Sequence, residues 1–196
     1  AGLGVKVIDV CMDSNQVDTV ATLREVIHKQ TTDFAGAMCL DSFAVEALAA
    51  AVMVYPGRPL INSISMAEVA PGITKADAVI GATKDHNPVY IGLAAGAQGP
   101  GRTAVEKAEL ARQLVQNAGR HGVGPERLFI DMNVFPIGSE SEEGMNFALE
   151  SLNAIPLIKA IHKDLRTSCG VGNLTMGLAT KPYMCQVLTS VWLDEA

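Results

Sequence analysis

An α/β barrel built of repeated strand–loop–helix units, and short of closure, is the fold that this sequence predicts. Apolar runs of a few residues recur along the chain, and nearly every one stops on Asp, Asn or a Gly-rich turn. Residues 5–9 end on Asp9, 37–41 on Asp41, 59–62 on Asn62 and 128–131 on Asp131, while 167–170 end on Gly170 and lead to Asn173. A stretch with helical spacing follows most of them. No linker, low-complexity segment or short-period repeat divides the 196 residues, so residues 1–196 form a single domain. Strand, polar residue, helix, repeated, is the sequence form of a TIM-type (β/α)8 barrel, whose chemistry lies at the strand C-termini.

Taken in order, residues 5–10 read as a strand from their β-branched content, and 19–30 as a helix. The next strand is 37–40, after which Ser42 is placed to cap an Ala-rich helix over 43–54. Tyr55-Pro-Gly-Arg58 makes a turn into strand 60–64, and 76–80 suits a short helix or a strand equally. Strand 88–93 runs into the small-residue loop 94–101, read as a flexible loop over the mouth. Residues 103–118 carry helical spacing (Val105, Ala108, Leu110, Ala111, Leu114, Val115) and stop near Gly119 and Gly122. After strand 128–130, Ser139 and Glu142 fit a capping box for a helix to residue 153, and the acidic run 140–143 is its solvated start. Met145, Phe147, Leu149 and Leu152 are core positions of that helix by spacing, and Pro156 divides it from 157–165. Residues 167–169 form a strand, and Pro182 opens the last helix.

This makes about six β/α units, whereas a closed barrel has eight strands and takes about 250 residues. The chain is therefore expected to lack the first unit and the last strand. Its sheet would keep two open edges, and it is expected to be a piece of a longer chain or to be completed by another one.

Composition narrows the function. Acidic residues outnumber basic ones 21 to 15, for a net charge of −6, and no basic stripe interleaved with aromatics occurs, which argues against nucleic acid as a partner. No apolar run is long enough to span a membrane. The four cysteines are widely spaced in apolar runs, neither a disulfide framework nor a metal pattern, so the expected setting is the reducing cytoplasm and a zinc site built on Cys11, Cys39 and Cys169 is disfavoured. The four histidines are scattered and read as surface residues. Gly170-x-Gly172 is too partial a match for a dinucleotide fingerprint, and 96–101 lacks the Lys-Ser/Thr ending of a phosphate loop.

Residues two apart in a strand share a face, which pairs Asp9 with Cys11 and Cys39 with Asp41. The barrel then gathers Asp9, Asp41, Asn62, Asp131 and Asn173 around one mouth, with no Lys, Arg or His at equivalent positions. Such a ring suits a neutral ligand rich in N–H donors. A 2-amino-4-oxo-pyrimidine edge fits, since a carboxylate accepts two parallel N–H bonds, and a phosphate does not. Taken singly, each of these residues is equally at home as a helix cap or turn former.

The motifs Val7-Ile-Asp-Val-Cys-Met-Asp13, Cys39-Leu-Asp-Ser42, Leu60-Ile-Asn-Ser-Ile-Ser65, Phe129-Ile-Asp-Met-Asn133 and Cys169-Gly-Val-Gly-Asn-Leu-Thr175 cover essentially the whole chain. In order and spacing the chain resembles the pterin-binding methyltransferases. These include the methyltetrahydrofolate-binding domain of cobalamin-dependent methionine synthase and the methyltetrahydrofolate:corrinoid/iron-sulfur-protein methyltransferases. The resemblance implies that Asp41, Asn62 and Asp131 hold the pterin ring and that Asn173, the implied catalytic residue, sits near the methyl-bearing N5. Asp9 matches the acid of the family's Asp-x-Asn segment, and Asn133 and Gly170 complete the implied binding set. Cys11 stands where the family has a second Asn, and Gly172 where it has Ser. The implied methyl carrier is methyltetrahydrofolate or tetrahydromethanopterin, and the implied partner is a corrinoid (cobalamin) protein. A dihydropteroate-synthase-like enzyme and a non-catalytic pterin-binding subunit are the rival readings, and homodimerisation and the direction of transfer are left open.

Overall fold

The computed structural model describes residues 4–138, 146–178 and 180–196. In chain order its first half runs β1 (Val7–Cys11), α1 (Thr19–Asp33), β2 (Ala37–Asp41), α2 (Val45–Val52), β3 (Leu60–Ile64), the short strands β4 (Glu68–Ala70) and β5 (Ile73–Thr74), and α3 (Lys75–Thr83). Then come β6 (Val89–Leu93), the short strands β7 (Ala95–Gly96) and β8 (Gly99–Pro100), α4 (Ala104–Arg120), β9 (Leu128–Asp131), α5 (Phe147–Lys159), β10 (Arg166–Ser168) and α6 (Pro182–Glu195). The capping box at Ser139 and Glu142, the acidic run 140–143 and Met145 lie outside the described residues.

Six of the strands form one parallel sheet in the order β1-β2-β3-β6-β9-β10, each neighbour joined by a helical crossover. The period-two alternation sorts its faces. Val10, Leu40, Ile61, Tyr90 and Leu128 are successive register partners across five strands, and all are buried under the helices. The helices meet this row with Leu23, Ile27, Leu48, Val79, Leu114 and Ile158, all fully buried. Cys11, Asp41, Asn62, Ile91, Phe129 and Arg166 form the adjacent row on the opposite face. One pleat further toward the strand ends, Leu93, Asp131 and Ser168 are in register. This is an open barrel wall: β1 pairs only with β2 and β10 only with β9, so the two edges do not meet.

A close approach fixes α4 on the sheet. A Cβ added to Gly92 would stand 3.1 Å from a Leu114 side-chain carbon, so the bare glycine lets Leu114 seat directly on β6. Replacing Leu114 by Ala is expected to cost about 2–5 kcal/mol through lost burial and the cavity left behind, read as a lowered denaturation midpoint.

Three local readings of the sequence need correction, and residues 76–80, open between helix and strand by sequence, resolve as helix. Pro156 does not divide two helices; α5 runs through it, because the proline is exposed, leaving its lost hydrogen bond on the solvent side, while Ser151, Ala154, Ile155 and Ile158 hold the buried face on both sides of it. Ser42 is not the cap of α2, which starts at Val45 after Ala44; its hydroxyl donates to Asp13 and accepts the Ala44 amide just ahead of the helix. Residues 76–80 are helical, within an α3 started by a reciprocal Thr74/Asp77 capping box. The loop 94–101 is organised as the β7–β8 hairpin. Among the described residues, no helix is long and apolar enough to cross a membrane.

Candidate active site

The strand C-termini carry two polar clusters. The first is built on β1 and β2. Asp9 and Cys39 are register partners, and so are Cys11 and Asp41, which puts all four side chains on one face. The Asp9 carboxyl group lies beside the Cys39 thiol and the Asp41 carboxyl group and helps each of them keep its proton. Burial, then the negative charges of Asp9 and Asp13, push Asp41 up to about 6, and Lys75 opposes them. Just past β1, Asp13 organises the next loop: its carboxylate accepts from Ser42 Oγ and from the Phe43 amide, each at 2.6 Å. Lys75, from the first turn of α3, donates to the Ser42 carbonyl at 3.2 Å and lies 5.6 Å from the Phe43 ring centroid. Asn62 continues the row beside Asp41.

The second cluster joins β9 to β10. Asp131 Oδ1 accepts the Asn133 amide at 2.7 Å, and the carboxylate also takes a backbone hydrogen bond from Gly170. Burial raises Asp131, against the pull of those amides and of Lys107. Asn173 occupies the 3-10 turn Val171–Thr175 that follows β10, exposed, with its amide nitrogen against Gly170: a Cβ there would meet it at 3.1 Å. Asn133 adopts a left-handed φ of 51°, and its buried side-chain Nδ2 has no hydrogen-bond partner among the described residues.

Each expected site residue therefore stands on the strand-end side of the same sheet face or in the turns that follow it. Asp9 is one pleat lower than the row through Asp41 and Asn62, and it reaches Asp41 through its carboxyl group. Cations reach the site from the helices rather than from those strand-end positions. Lys75 and the fully buried Lys107 reach into it from α3 and α4, and each is turned onto backbone carbonyls of a strand-end turn. The signal for Lys107 is present in the sequence: it falls on the apolar stripe of α4 with Ala104, Ala108 and Ala111. His121 is also not a free surface residue, since its Nε2 lies 2.9 Å from Asp77 Oδ1.

The strand ends thus present carboxylates and carboxamides with Lys75 and Lys107 behind them, and Arg166 of β10 lies over the Phe129 ring in the same row, 5.5 Å from its centroid. Burial pushes the Cys11, Cys39 and Cys169 thiols up, and nearby aspartates add to it, so they are held as neutral thiols. Among the described residues no group of three His, Cys, Asp or Glu is placed to hold a metal ion.

Comparison with known proteins agrees with this geometry. The chain is 29% identical over 193 residues to a methionine synthase of Mycobacterium tuberculosis, covering 98% of this chain and 16% of that protein. It is 26% identical over 188 residues to a methylcorrinoid:tetrahydrofolate methyltransferase of Eubacterium limosum, covering 95% and 66%. The chain thus spans about one-sixth of that methionine synthase. In fold it resembles a dihydropteroate synthase from Xanthomonas albilineans solved with 7,8-dihydropteroate, with a TM-score of 0.64 at 17% identity over 98% of this chain and 69% of that one. The enzyme from Vibrio fischeri gives the same TM-score at 15% identity, over 98% and 72%. The family model described as pterin binding enzyme matches residues 2–196, and the chain belongs to that family.

Proposed function

We propose that this chain binds a reduced folate-type pterin by its pyrimidine edge and serves in methyl transfer between the pterin N5 and a corrinoid protein. The observation that carries this reading is the row Asp41–Asn62 on the adjacent strands β2 and β3, with Asp131 one pleat above on β9, beyond β6: three acceptor-rich side chains at strand ends of one sheet face. Each carboxylate can take two N–H bonds from a 2-amino-pyrimidine edge, and a carboxamide can serve the adjacent carbonyl and ring nitrogen. The names of the two relatives, a methionine synthase and a methylcorrinoid:tetrahydrofolate methyltransferase, support methyl transfer as the chemistry. A dihydropteroate-synthase-like activity is less favoured, because the likeness to those enzymes is one of fold alone, at 17% and 15% identity.

The chain's own residues supply positioning and polarisation. A tertiary amine is a poor leaving group, so methyl loss from N5 is helped by protonation, and an acceptor beside N5 favours the protonated form as the transition state develops. Asn173 is assigned that role, since a neutral carboxamide accepts from protonated N5 where a lysine would repel it. Methyl entry onto N5 uses the same contact in reverse. The corrinoid cobalt, carried by a partner protein, supplies the methyl acceptor or donor. Replacing Asn173 by Ala is expected to slow methyl transfer about 100-fold while weakening pterin binding less than about five-fold, because the contact strengthens in the transition state. A cob(I)alamin methylation assay followed by absorbance, paired with calorimetry, separates the two. Unchanged rates in the variant would remove the role.

The two open edges support a further part of the reading: additional β/α units, from a longer chain or a partner, close the wall. Affinity for methyltetrahydrofolate should then be greater in a chain extended by the closing units than in residues 1–196 alone, and equal affinity would count against that completion.

A further inference from the structure

Lys107 is fully buried, and an ammonium ion is costly to bury unless its donors are satisfied and a counter-charge is near. Its Nζ donates to the Met132 carbonyl at 2.6 Å and to the Asn133 carbonyl at 3.2 Å, and it lies 5.1 Å from the Phe135 ring centroid. Both carbonyls belong to the turn that follows Asp131, and the Asn133 amide donates back to the Asp131 carboxylate. Lysine, turn and carboxylate thus form one closed set of contacts. Lys75 repeats the arrangement across the site: an ammonium from the start of the next helix but one, a carbonyl in the turn after Asp41, and an aromatic ring under the charge.

Resting on the pterin reading above, we propose that Lys107 is a positioning residue: it staples the turn after β9 so that Asp131 is presented to the ligand as an oriented, ionised carboxylate. The groups facing the pair favour this. Burial lowers Lys107 to about 8, and Asp131, Glu150 from α5 and Glu106 on α4 hold it up. Burial raises Asp131, and the Asn133 amide, Lys107 and the Gly170 amide pull it back down; the Cys169 thiol just past β10 is in turn raised by burial and by the Asp131 charge. A side chain that only filled space there would leave the protonation of Asp131 untouched.

The test uses K107Q, which keeps a donor but no charge, K107M, which keeps neither, and K107R, which keeps both. In the ligand-free protein the titration of the Asp131 side-chain carboxyl carbon is followed by NMR. In parallel, methyltetrahydrofolate affinity is measured across the same pH range. K107Q and K107M are expected to raise the Asp131 midpoint by about one unit or more and, with it, to weaken binding roughly ten-fold at pH values below both midpoints, with recovery as the pH rises above them. K107R should keep both near the wild-type values. An unmoved Asp131 midpoint in K107Q, or an affinity loss equal at every pH and equally large in K107R, would overturn the proposal. If K107M does not fold, K107Q and K107R decide the matter. If the wild-type protein binds no pterin, the functional reading falls, while the Asp131 midpoint still settles what Lys107 does.

Discussion

Asp41→Asn is expected to stabilise the free protein and at the same time to remove most of its affinity for the pterin. Burial and the charges of Asp9 and Asp13 raise Asp41 from 3.8 to about 6, so its ionised form is disfavoured by the fold. The sign follows from linkage. The folded state holds this proton more tightly than the unfolded chain, so stability is highest below about pH 4 on this account and declines as pH rises to about 6. Asn cannot ionise, so that decline should vanish. After discounting for solvent screening at a half-buried group, the gain at neutral pH is about 1–2 kcal/mol, seen as a higher denaturant midpoint. Binding moves the other way, because Asn presents one acceptor where the carboxylate presents two, and about 10–100-fold in affinity is lost. Wild-type affinity should also weaken as pH falls below about 6, where Asp41 takes up its proton, and a flat profile would disagree.

The larger effect is expected at Asp131. Here the carboxylate serves the ligand and the fold together, accepting the Asn133 and Gly170 amides and facing Lys107. Asp131→Ala strands two backbone donors and leaves a buried ammonium without its nearest counter-charge, a cost of about 2–4 kcal/mol. Pterin binding should fall at least about 100-fold with it. Asp131→Asn separates the two roles: its amide oxygen can still accept from a backbone N–H, so the turn should survive, while the second acceptor and the charge are gone. Thermal denaturation and calorimetry on both variants check this. The expected pattern is Ala unstable and non-binding, Asn folded and non-binding.

The wall of the barrel is legible in the sequence for a plain reason. Each strand is a short apolar run whose end is marked by a residue that leaves the core, so Asp41, Asn62 and Asp131 announce both a boundary and a site. Parity along a strand is legible too, which is why Asp9 and Cys11 fall on the ligand face as expected. Register is not. It is set by the stagger of neighbouring strands, and this puts Asp9 level with Cys39 and Asp131 one pleat above Asn62. The buried lysines were hidden by a default, that a charged side chain on a helix faces water. Lys107 breaks it because the strand-end carbonyls and Asp131 offer its ammonium partners from another part of the chain. Pro156 misleads similarly: its local cost is real, but the buried face of α5 outweighs it.

The central claim is that carboxylates from separate strands grip one flat ring by its edge. Calorimetric titration of the protein with methyltetrahydrofolate, beside Asp41→Asn and Asp131→Asn, tests it most directly. The account predicts one site in the wild-type protein and little or no heat in either variant. A wild-type protein that binds nothing, or two variants that bind as tightly as the parent, would contradict it.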